Sequence, residues 1–194
     1  MLQRSLLAEP AGQPGLEIAV RYRPAAEEAQ IGGDWFDAFA LPDGSLAGVD
    51  RAMEGLGVDV FASAVLAQVG PDDGQGGRDV RWSNAGHLPP VLVLPDGDAQ
   101  LLTSKPDVLL GLGEAARGDH ALTLPPGASI VVYTDGLIER RGVSLLDSLE
   151  WVAGTLRGHG GLTAEQLCDH LIAQLDDAVE DDVAMLVLRV APPA

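Results

Sequence analysis

Cysteine and aromatic residues are scarce in this chain. Cys168 is the single cysteine among 194 residues, which excludes an internal disulfide and suits a reducing compartment, so we predict a cytoplasmic protein. The helical setting of Cys168 favours a buried structural thiol over a reactive nucleophile. Aromatic residues make up 4% of the sequence, so the core is expected to consist mainly of Leu, Val and Ala.

Positive charge is also scarce. The chain has 12 Lys and Arg against 29 Asp and Glu, a net charge of −17. This sign disfavours nucleic acids and anionic membranes as partners. A phosphorylated substrate would be repelled too, unless metal ions reverse the local field. No apolar run approaches the roughly 18 to 20 residues of a membrane-spanning helix, and the first residues lack the apolar stretch of a signal peptide.

The hydrophobic pattern predicts a single α+β domain over residues 1–194, with an irregular lead-in over 1–15. Strands are predicted at 16–22, 35–40, 46–49, 61–69, 80–82, 91–94, 100–102, 130–133 and 183–190. Helices are predicted at 145–156 and after a capping box formed by Thr163 and Gln166. Hairpin-linked strands with few helices favour antiparallel sheets over an alternating βαβ arrangement.

Three aspartates stand at the ends of predicted strands. Asp34 follows two glycines and precedes a strand, Asp135 follows a strand, and Asp181 precedes the last one. Carboxylate oxygens are the ligands that Mg²⁺ and Mn²⁺ prefer, and two such ions can activate a water and orient a phosphate. The spacing leaves an alternative open, because Asp-Gly and Asp-Asp pairs are also common in turns and caps.

Four short motifs occur in an order that resembles the phosphatase domain of the stage II sporulation protein E type, a bacterial branch of the metal-dependent PPM protein phosphatases. The motifs are Gly32-Gly33-Asp34-Trp35-Phe36-Asp37, Asn84-Ala85-Gly86-His87-Leu88-Pro89-Pro90, Thr134-Asp135-Gly136-Leu137-Ile138-Glu139 and Asp181-Asp182. The resemblance also covers the segment from residue 2 to residue 25. Each motif is short, but together they extend over nearly the whole chain.

The resemblance implies two packed antiparallel β-sheets flanked by helices, an α-β-β-α sandwich. It implies that Asp34, Asp135 and Asp181 bind Mn²⁺ or Mg²⁺, with two ions in an intact family member. The implied reaction is hydrolysis of phosphoserine or phosphothreonine by a metal-activated water, with no covalent intermediate. The expected substrate is a phosphorylated anti-sigma-factor antagonist, whose dephosphorylation releases a sigma factor.

Other residues are assigned supporting roles. Asp37, Asp182 and Gly136 are expected to surround the metal ligands and orient them. Arg21 and Arg23 are candidates for contacting the phosphate of the substrate, if the first strand lines the cleft. The roles of these residues and of the three ligands are predictions.

One element of the family is absent from this sequence. After the strand at 46–49, family members continue with G-D-x-x-G-H-G and long helices, whereas here Asp50 leads directly into what resembles the end of that helical segment. Asp50 is therefore either the ligand that bridges the two ions or the aspartate of the helix ending. An apparent internal deletion near 49–51 would remove part of one helical layer, weaken binding of the second ion and bare an apolar face that favours a homodimer.

This departure leaves three functional hypotheses. The first is a phosphatase whose activity, in the chain as given, is lower than that of an intact relative. The second is a non-catalytic partner-binding module of the same fold, a pseudophosphatase. The third is a structural acidic domain that binds calcium incidentally.

Overall fold

The computed structural model describes residues 14–24, 61–103, 107–112, 117–140, 142–175 and 181–192. These residues form two compact units, one with a five-stranded sheet and two helices and the other with a three-stranded sheet. Both sheets are antiparallel throughout, so the predicted α+β fold with two antiparallel sheets is confirmed. Within these residues, no helix combines the length and apolar character that a membrane crossing needs.

Strands come first along the described part of the chain, and both helices precede the last strand. In order they are β1 (Leu16–Arg23), β2 (Ala64–Asp72), β3 (Arg78–Ala85), β4 (Val91–Val93), β5 (Ala99–Leu101), β6 (His120–Leu124), β7 (Ser129–Tyr133), a 3₁₀ turn (Asp135–Leu137), α1 (Leu145–Leu156), α2 (Ala164–Ile172) and β8 (Val183–Val190). The strand order is β1-β8-β7-β4-β5 in the larger sheet and β2-β3-β6 in the smaller one.

Strand β8 lies between β1 and β7 in the larger sheet and sets the position of both neighbours. It pairs with β1 along its whole length, from Leu16 opposite Val190 to Arg23 opposite Val183. On its other side it pairs with β7, and Tyr133 lies opposite Met185. Because both pairs are antiparallel, the carboxyl ends of β1 and β7 meet the amino end of β8 at one edge of the sheet.

Both helices pack on the larger sheet. The buried residues of α1 include Leu149, Val152 and Leu156, and those of α2 include Leu167 and Leu171; all join one core cluster with sheet residues. Burial of each such side chain contributes about 1.5–3 kcal/mol to the stability of the fold. This core holds the two helices against the strands that carry the predicted acidic residues.

The carboxylate of Glu17 fixes the start of α2 to the sheet. One oxygen accepts a hydrogen bond from the amide of Ala164, the first residue of α2, at 3.1 Å. The other pairs with the guanidinium of Arg189 at 3.1 Å, and the Arg189 side chain is buried. A negative charge at a helix amino terminus is favourable, and here it also pairs a buried cation.

The predicted capping box is confirmed at the start of α2. The hydroxyl of Thr163 accepts from the amide of Gln166 at 3.3 Å, and the Gln166 side chain accepts from the amide of Thr163 at 3.0 Å. Replacing Thr163 with alanine is expected to lower the free energy of unfolding by about 1 kcal/mol, because one amide of the first turn loses its partner. Urea unfolding followed by circular dichroism measures the loss.

A matched control is available in Thr103, an exposed threonine outside helices and strands. Thr103→Ala should stay within about 0.5 kcal/mol of the parent. Equal losses in the two variants would show that the capping box does not stabilise α2.

The second unit is a three-stranded sheet with a small apolar cluster. Ala85 and Leu110 are buried, and Ala62, Ala64 and Leu66 pack against them. Between β2 and β3 the chain turns through a glycine-rich loop. Asp72 and Asp73 accept hydrogen bonds from loop amides, so both carboxylates serve the turn.

Several element boundaries differ from the prediction. The strand predicted at 61–69 is observed as β2, which begins at Ala64 and extends to Asp72, with an irregular register after Val69. Strand β6 was not predicted at all. The helix predicted at 145–156 is observed as α1, but its first two apolar residues, Leu145 and Leu146, are exposed, Leu146 by 74%, and the buried face begins with Ser148 and Leu149. The strands predicted at 35–40 and 46–49 lie outside the described residues.

Candidate metal site

The loop after β7 and the loop before β8 are joined by hydrogen bonds. The amide of Thr134 donates to the carbonyl of Ala184 at 2.9 Å. The hydroxyl of Thr134 accepts from the amide of Ala184 at 2.9 Å and lies 3.3 Å from the carbonyl oxygen of Asp182. Thr134 therefore holds the residue on its carboxyl side, Asp135, beside the segment that begins with Asp181.

Gly136 allows the two loops to touch. A β-carbon at this position would lie 2.8 Å from the carbonyl carbon of Asp182 and 3.1 Å from the carbonyl oxygen of Asp181, and closer still to the carbonyl oxygen of Asp182. These are backbone atoms of a strand end, and they cannot move aside cheaply. The predicted role of Gly136 near the metal ligands stays a prediction, but its contact explains why a side chain does not fit here.

The carboxylates of Asp135 and Asp181 are exposed and share a similar arrangement. In each, one oxygen accepts from the next amide of the chain, at 3.1 Å for Gly136 and 2.7 Å for Asp182. The second oxygen of each takes no hydrogen bond from the part of the chain that the structure describes. Such oxygens are suitable ligands for a hard divalent cation.

Asp182 differs from its neighbour because it is buried, with 5% of its surface exposed. Its carboxylate accepts a hydrogen bond from the hydroxyl of Tyr22 at 2.6 Å. Tyr22 lies on β1, opposite Ala184 in the strand register. The contact thus joins two segments that the sequence separates by 160 positions.

The structure gives Arg21 partners on α2. Its guanidinium donates to Asp169, at 2.7 and 3.0 Å, and to Glu165. The hydrogen bond to Glu165 is the main cause that raises the pKa of Arg21; Asp169 adds to it and partial burial opposes it. Both carboxylates are largely exposed, so solvent screens these ion pairs.

Arg23 lies opposite Val183, at the edge where Asp181 is found. The predicted contacts of Arg21 and Arg23 with substrate stay predictions.

The segment after Asp135 is anchored on α1. The amides of Ile138 and Glu139 donate to the carbonyl of Asp135 at 2.8 and 2.7 Å, which closes the 3₁₀ turn. The guanidinium of Arg140 then lies over the ring of Trp151, 3.6 Å from the ring centre. A cation–π contact of this kind contributes about 0.5–1 kcal/mol at an exposed site. The turn that presents Asp135 is therefore fixed at both ends.

The Asn84–His87 motif forms a turn in the second unit. The buried side chain of Asn84 accepts from the amide of His87 at 2.7 Å and donates to its carbonyl at 3.0 Å. The Nδ1 atom of His87 lies 3.0 Å from the hydroxyl of Ser63. Gly86 has φ of +68° and lies against Leu109, so a side chain is excluded there. The side chain of Asn84 therefore closes the turn through its two hydrogen bonds to His87.

Three of the predicted site residues lie outside the described residues: Asp34, Asp37 and Asp50. The apparent deletion near 49–51 lies there as well. Among the described residues, no group of three or more His, Cys, Asp or Glu side chains is arranged to hold a metal ion. The structure brings together the two loops that carry Asp135 and Asp181, and their role as metal ligands stays a prediction.

Two residues of the site received no role from the sequence. Thr134 is part of a recognised motif, and its place between a strand and an acid could have suggested a link between loops. Tyr22 carries no such signal, because its contact with Asp182 depends on the pairing of β1 with β8.

Paired carboxylates at neighbouring strand ends of an antiparallel α+β fold define a candidate site for a divalent cation. The Stage II sporulation protein E (SpoIIE) family matches residues 17–191 of the sequence. The chain therefore belongs to the SpoIIE family, as the motifs predicted.

Solved structures are similar to this chain over most of its length. The RsbU and RsbW domains of Rv1364c from Mycobacterium tuberculosis share 27% identity with a TM-score of 0.72, over 93% of this chain and 63% of that chain. RsbX in complex with magnesium shares 16% identity with a TM-score of 0.59, over 94% and 99%. The phosphatase domain of SpoIIE from Bacillus subtilis shares 14% identity with a TM-score of 0.58, over 94% and 96%. At these low identities, the comparisons with RsbX and with the SpoIIE phosphatase domain show only that the folds are alike.

Proposed function

We propose that this chain is a phosphoserine/phosphothreonine protein phosphatase domain that depends on Mn²⁺ or Mg²⁺. The observation that carries the proposal is the meeting of two loops at one sheet edge, each with an exposed aspartate, in a chain of the SpoIIE family. The alternative that these acids serve only turns is disfavoured, because one oxygen of each carboxylate suffices for the turn.

The donor set fits a hard cation. Asp135 and Asp181, together with Asp34, would hold it, and Asp50 is the candidate for bridging a second ion. When bound, such cations activate water at neutral pH and stabilise the charge that develops on a phosphoryl group. The chain itself contributes negative donors held by Thr134 and the 3₁₀ turn, and a water-accessible edge. The magnesium in the similar RsbX structure is consistent with this assignment.

The proposed substrate is a phosphorylated regulatory protein of a sigma-factor pathway, of the anti-sigma-factor antagonist type. The similarity to the RsbU and RsbW domains of Rv1364c supports this class. The chain spans 63% of that relative's length, so the activity and partners of the whole protein belong to the proposal. The acidic chain needs bound cations to accept a phosphoprotein, because its net charge of −17 repels one. The single cysteine suits action in the cytoplasm.

A second function is favoured by one specific observation in the sequence. The run G-D-x-x-G-H-G, which carries the bridging aspartate in the family pattern, does not occur in this chain. A chain of this kind could bind a regulatory partner without hydrolysing it. Binding of Mn²⁺ without hydrolysis, together with capture of the proposed antagonist, selects this alternative.

The decisive experiment measures hydrolysis of a phosphoserine peptide and of an aryl phosphate as a function of metal. We expect turnover with Mn²⁺ or Mg²⁺, its complete loss on addition of excess EDTA, and its return when Mn²⁺ is restored. Calcium at the same concentration is the control and should not replace manganese, because it is larger and less demanding in geometry. Turnover that persists in EDTA would contradict the proposal, and a preference for calcium would favour a structural acidic domain.

The same assay addresses the missing segment. A chain without the bridging acid should bind the second ion weakly, so its rate should reach a plateau only at high Mn²⁺ and stay below that of an intact relative. A rate equal to that of an intact relative would show that the shorter sequence retains a complete site.

A further inference from the structure

The hydroxyl of Tyr22 lies at the start of a path that reaches the candidate metal site through two hydrogen bonds of one residue, Asp182. It donates to Oδ2 of Asp182 at 2.6 Å. The amide of Asp182 in turn donates to Oδ1 of Asp181 at 2.7 Å. The path therefore runs from the side chain of Tyr22 on β1, through the buried residue Asp182, to the exposed carboxylate of Asp181.

Asp182 is held from both sides. Its side chain is tied to β1 by Tyr22, whereas its backbone carbonyl is approached by the hydroxyl of Thr134 at 3.3 Å and by Gly136. Because the amide of the same residue carries the hydrogen bond to Asp181, a shift of Asp182 would rotate or displace the Asp181 carboxylate. The position of one candidate ligand thus depends on a contact on the other side of β8.

Asp181 and Asp182 have different roles, because one side chain is exposed and the other is buried. Asp181 is exposed and Asp182 is 5% exposed, although the two are adjacent in sequence. A buried carboxylate must be satisfied by donors, and Tyr22 supplies one at short distance. Asp182 therefore serves as an anchor between β1 and the loop, while Asp181 faces solvent.

We propose that Tyr22 is a positioning residue for the metal site: through Asp182 it fixes the Asp181 carboxylate in the orientation that binds the cation. The inference rests on the proposed function, since it assigns Asp181 as a ligand. Residues that orient metal ligands typically change metal affinity by 10–100-fold when they are removed. The role is distinct from that of Arg21, the preceding residue on β1, whose partners are on α2.

The test compares Tyr22→Phe with Tyr133→Phe, because the chain has two tyrosines and both donate a hydrogen bond in the same unit. The hydroxyl of Tyr133 donates to the carbonyl of Pro89 at 3.0 Å, and burial raises its pKa. Each variant loses one hydroxyl without a change in shape. Thermal unfolding establishes that both variants fold.

Binding of Mn²⁺ is measured by the loss of the electron paramagnetic resonance signal of the free ion. Tyr22→Phe is expected to weaken binding by about 10-fold or more, whereas Tyr133→Phe leaves it unchanged. In the hydrolysis assay the Mn²⁺ activation curve of Tyr22→Phe should shift to higher concentration and reach the parental kcat at saturation. A general loss of stability would not produce this separation of metal affinity from kcat.

Substitutions of Asp182 complete the design. Asp182→Asn keeps an oxygen that can accept from Tyr22, so it should bind Mn²⁺ more tightly than Asp182→Ala. Adding Tyr22→Phe to Asp182→Ala should weaken binding no further, because the path is already broken. Additive losses in that double variant would overturn the proposal.

The outcomes distinguish the inference from the function on which it rests. Equal Mn²⁺ affinities of Tyr22→Phe and the parent overturn the positioning role alone. A parent that binds Mn²⁺ without hydrolysing phosphopeptides overturns the phosphatase function, while a weaker affinity of Tyr22→Phe still supports the positioning role. A parent that binds no Mn²⁺ overturns both.

Discussion

Replacing Gly136 with alanine is expected to lower the free energy of unfolding by about 3 kcal/mol, the upper end of what overpacking costs. The added β-carbon would lie 2.8 Å from the carbonyl carbon of Asp182, so one of the two loops must move. We also expect Mn²⁺ binding to be lost, because the separation of Asp135 and Asp181 changes. Urea unfolding and a Mn²⁺ titration measure the two effects.

Gly154 provides the matched control. It lies within α1, is exposed, and a β-carbon there would meet no atom within 4 Å. Gly154→Ala should therefore raise the free energy of unfolding by about 0.5–1 kcal/mol, through helix propensity, and leave Mn²⁺ binding intact. If Gly136→Ala were as stable as the parent, the contact between the two loops would not constrain the site.

Asparagine in place of Asp135 or of Asp181 is expected to reduce Mn²⁺-dependent hydrolysis by about 100-fold or more. The side chains have nearly the same shape, but each change removes a negative donor, and removal of even an indirect partner of a metal costs 10–100-fold. Steady-state hydrolysis of the phosphoserine peptide measures the loss, and raising the Mn²⁺ concentration should recover part of it.

Asp96→Asn controls for the change in net charge. Asp96 is an exposed acid in the β4–β5 hairpin, where its carboxylate accepts from the amide of Asp98 at 3.0 Å, and an asparagine oxygen can do the same. We expect its activity to equal that of the parent. Should Asp135→Asn and Asp181→Asn match Asp96→Asn, the two aspartates would be turn residues and the metal site would lie elsewhere.

The parts of the fold that follow from local chemistry were predictable. The capping box of Thr163 and Gln166 marked the start of α2, and the strands predicted at 91–94 and 100–102 are observed as the β4–β5 hairpin. Strand β6 was missed because His120–Leu124 offers only Leu122 and Leu124 as strong apolar positions. Leu145 and Leu146 fit a helical period, but the period alone does not say which side of the first turn faces the core.

The sequence was enough to predict which aspartates belong to the candidate site, but not the hydrogen bonds that hold them in place. Asp135 and Asp181 stand out because each adjoins a strand and belongs to a motif. The hydrogen bond from Tyr22 to Asp182 depends on the register of β1 against β8, which no local sequence pattern encodes. Arg21 illustrates the same limit, because no local pattern in the sequence indicates that α2 brings Glu165 and Asp169 against it.

Cys168 gives the molecule a built-in reporter. Its thiol is fully buried in the core between α2 and the sheet, and burial raises its pKa to about 12. At neutral pH the native thiol is therefore protonated and screened from reagents, so alkylation must wait for α2 to open. The chain carries no other cysteine, so the alkylation rate of any variant described above measures how readily α2 opens, and no added label is needed.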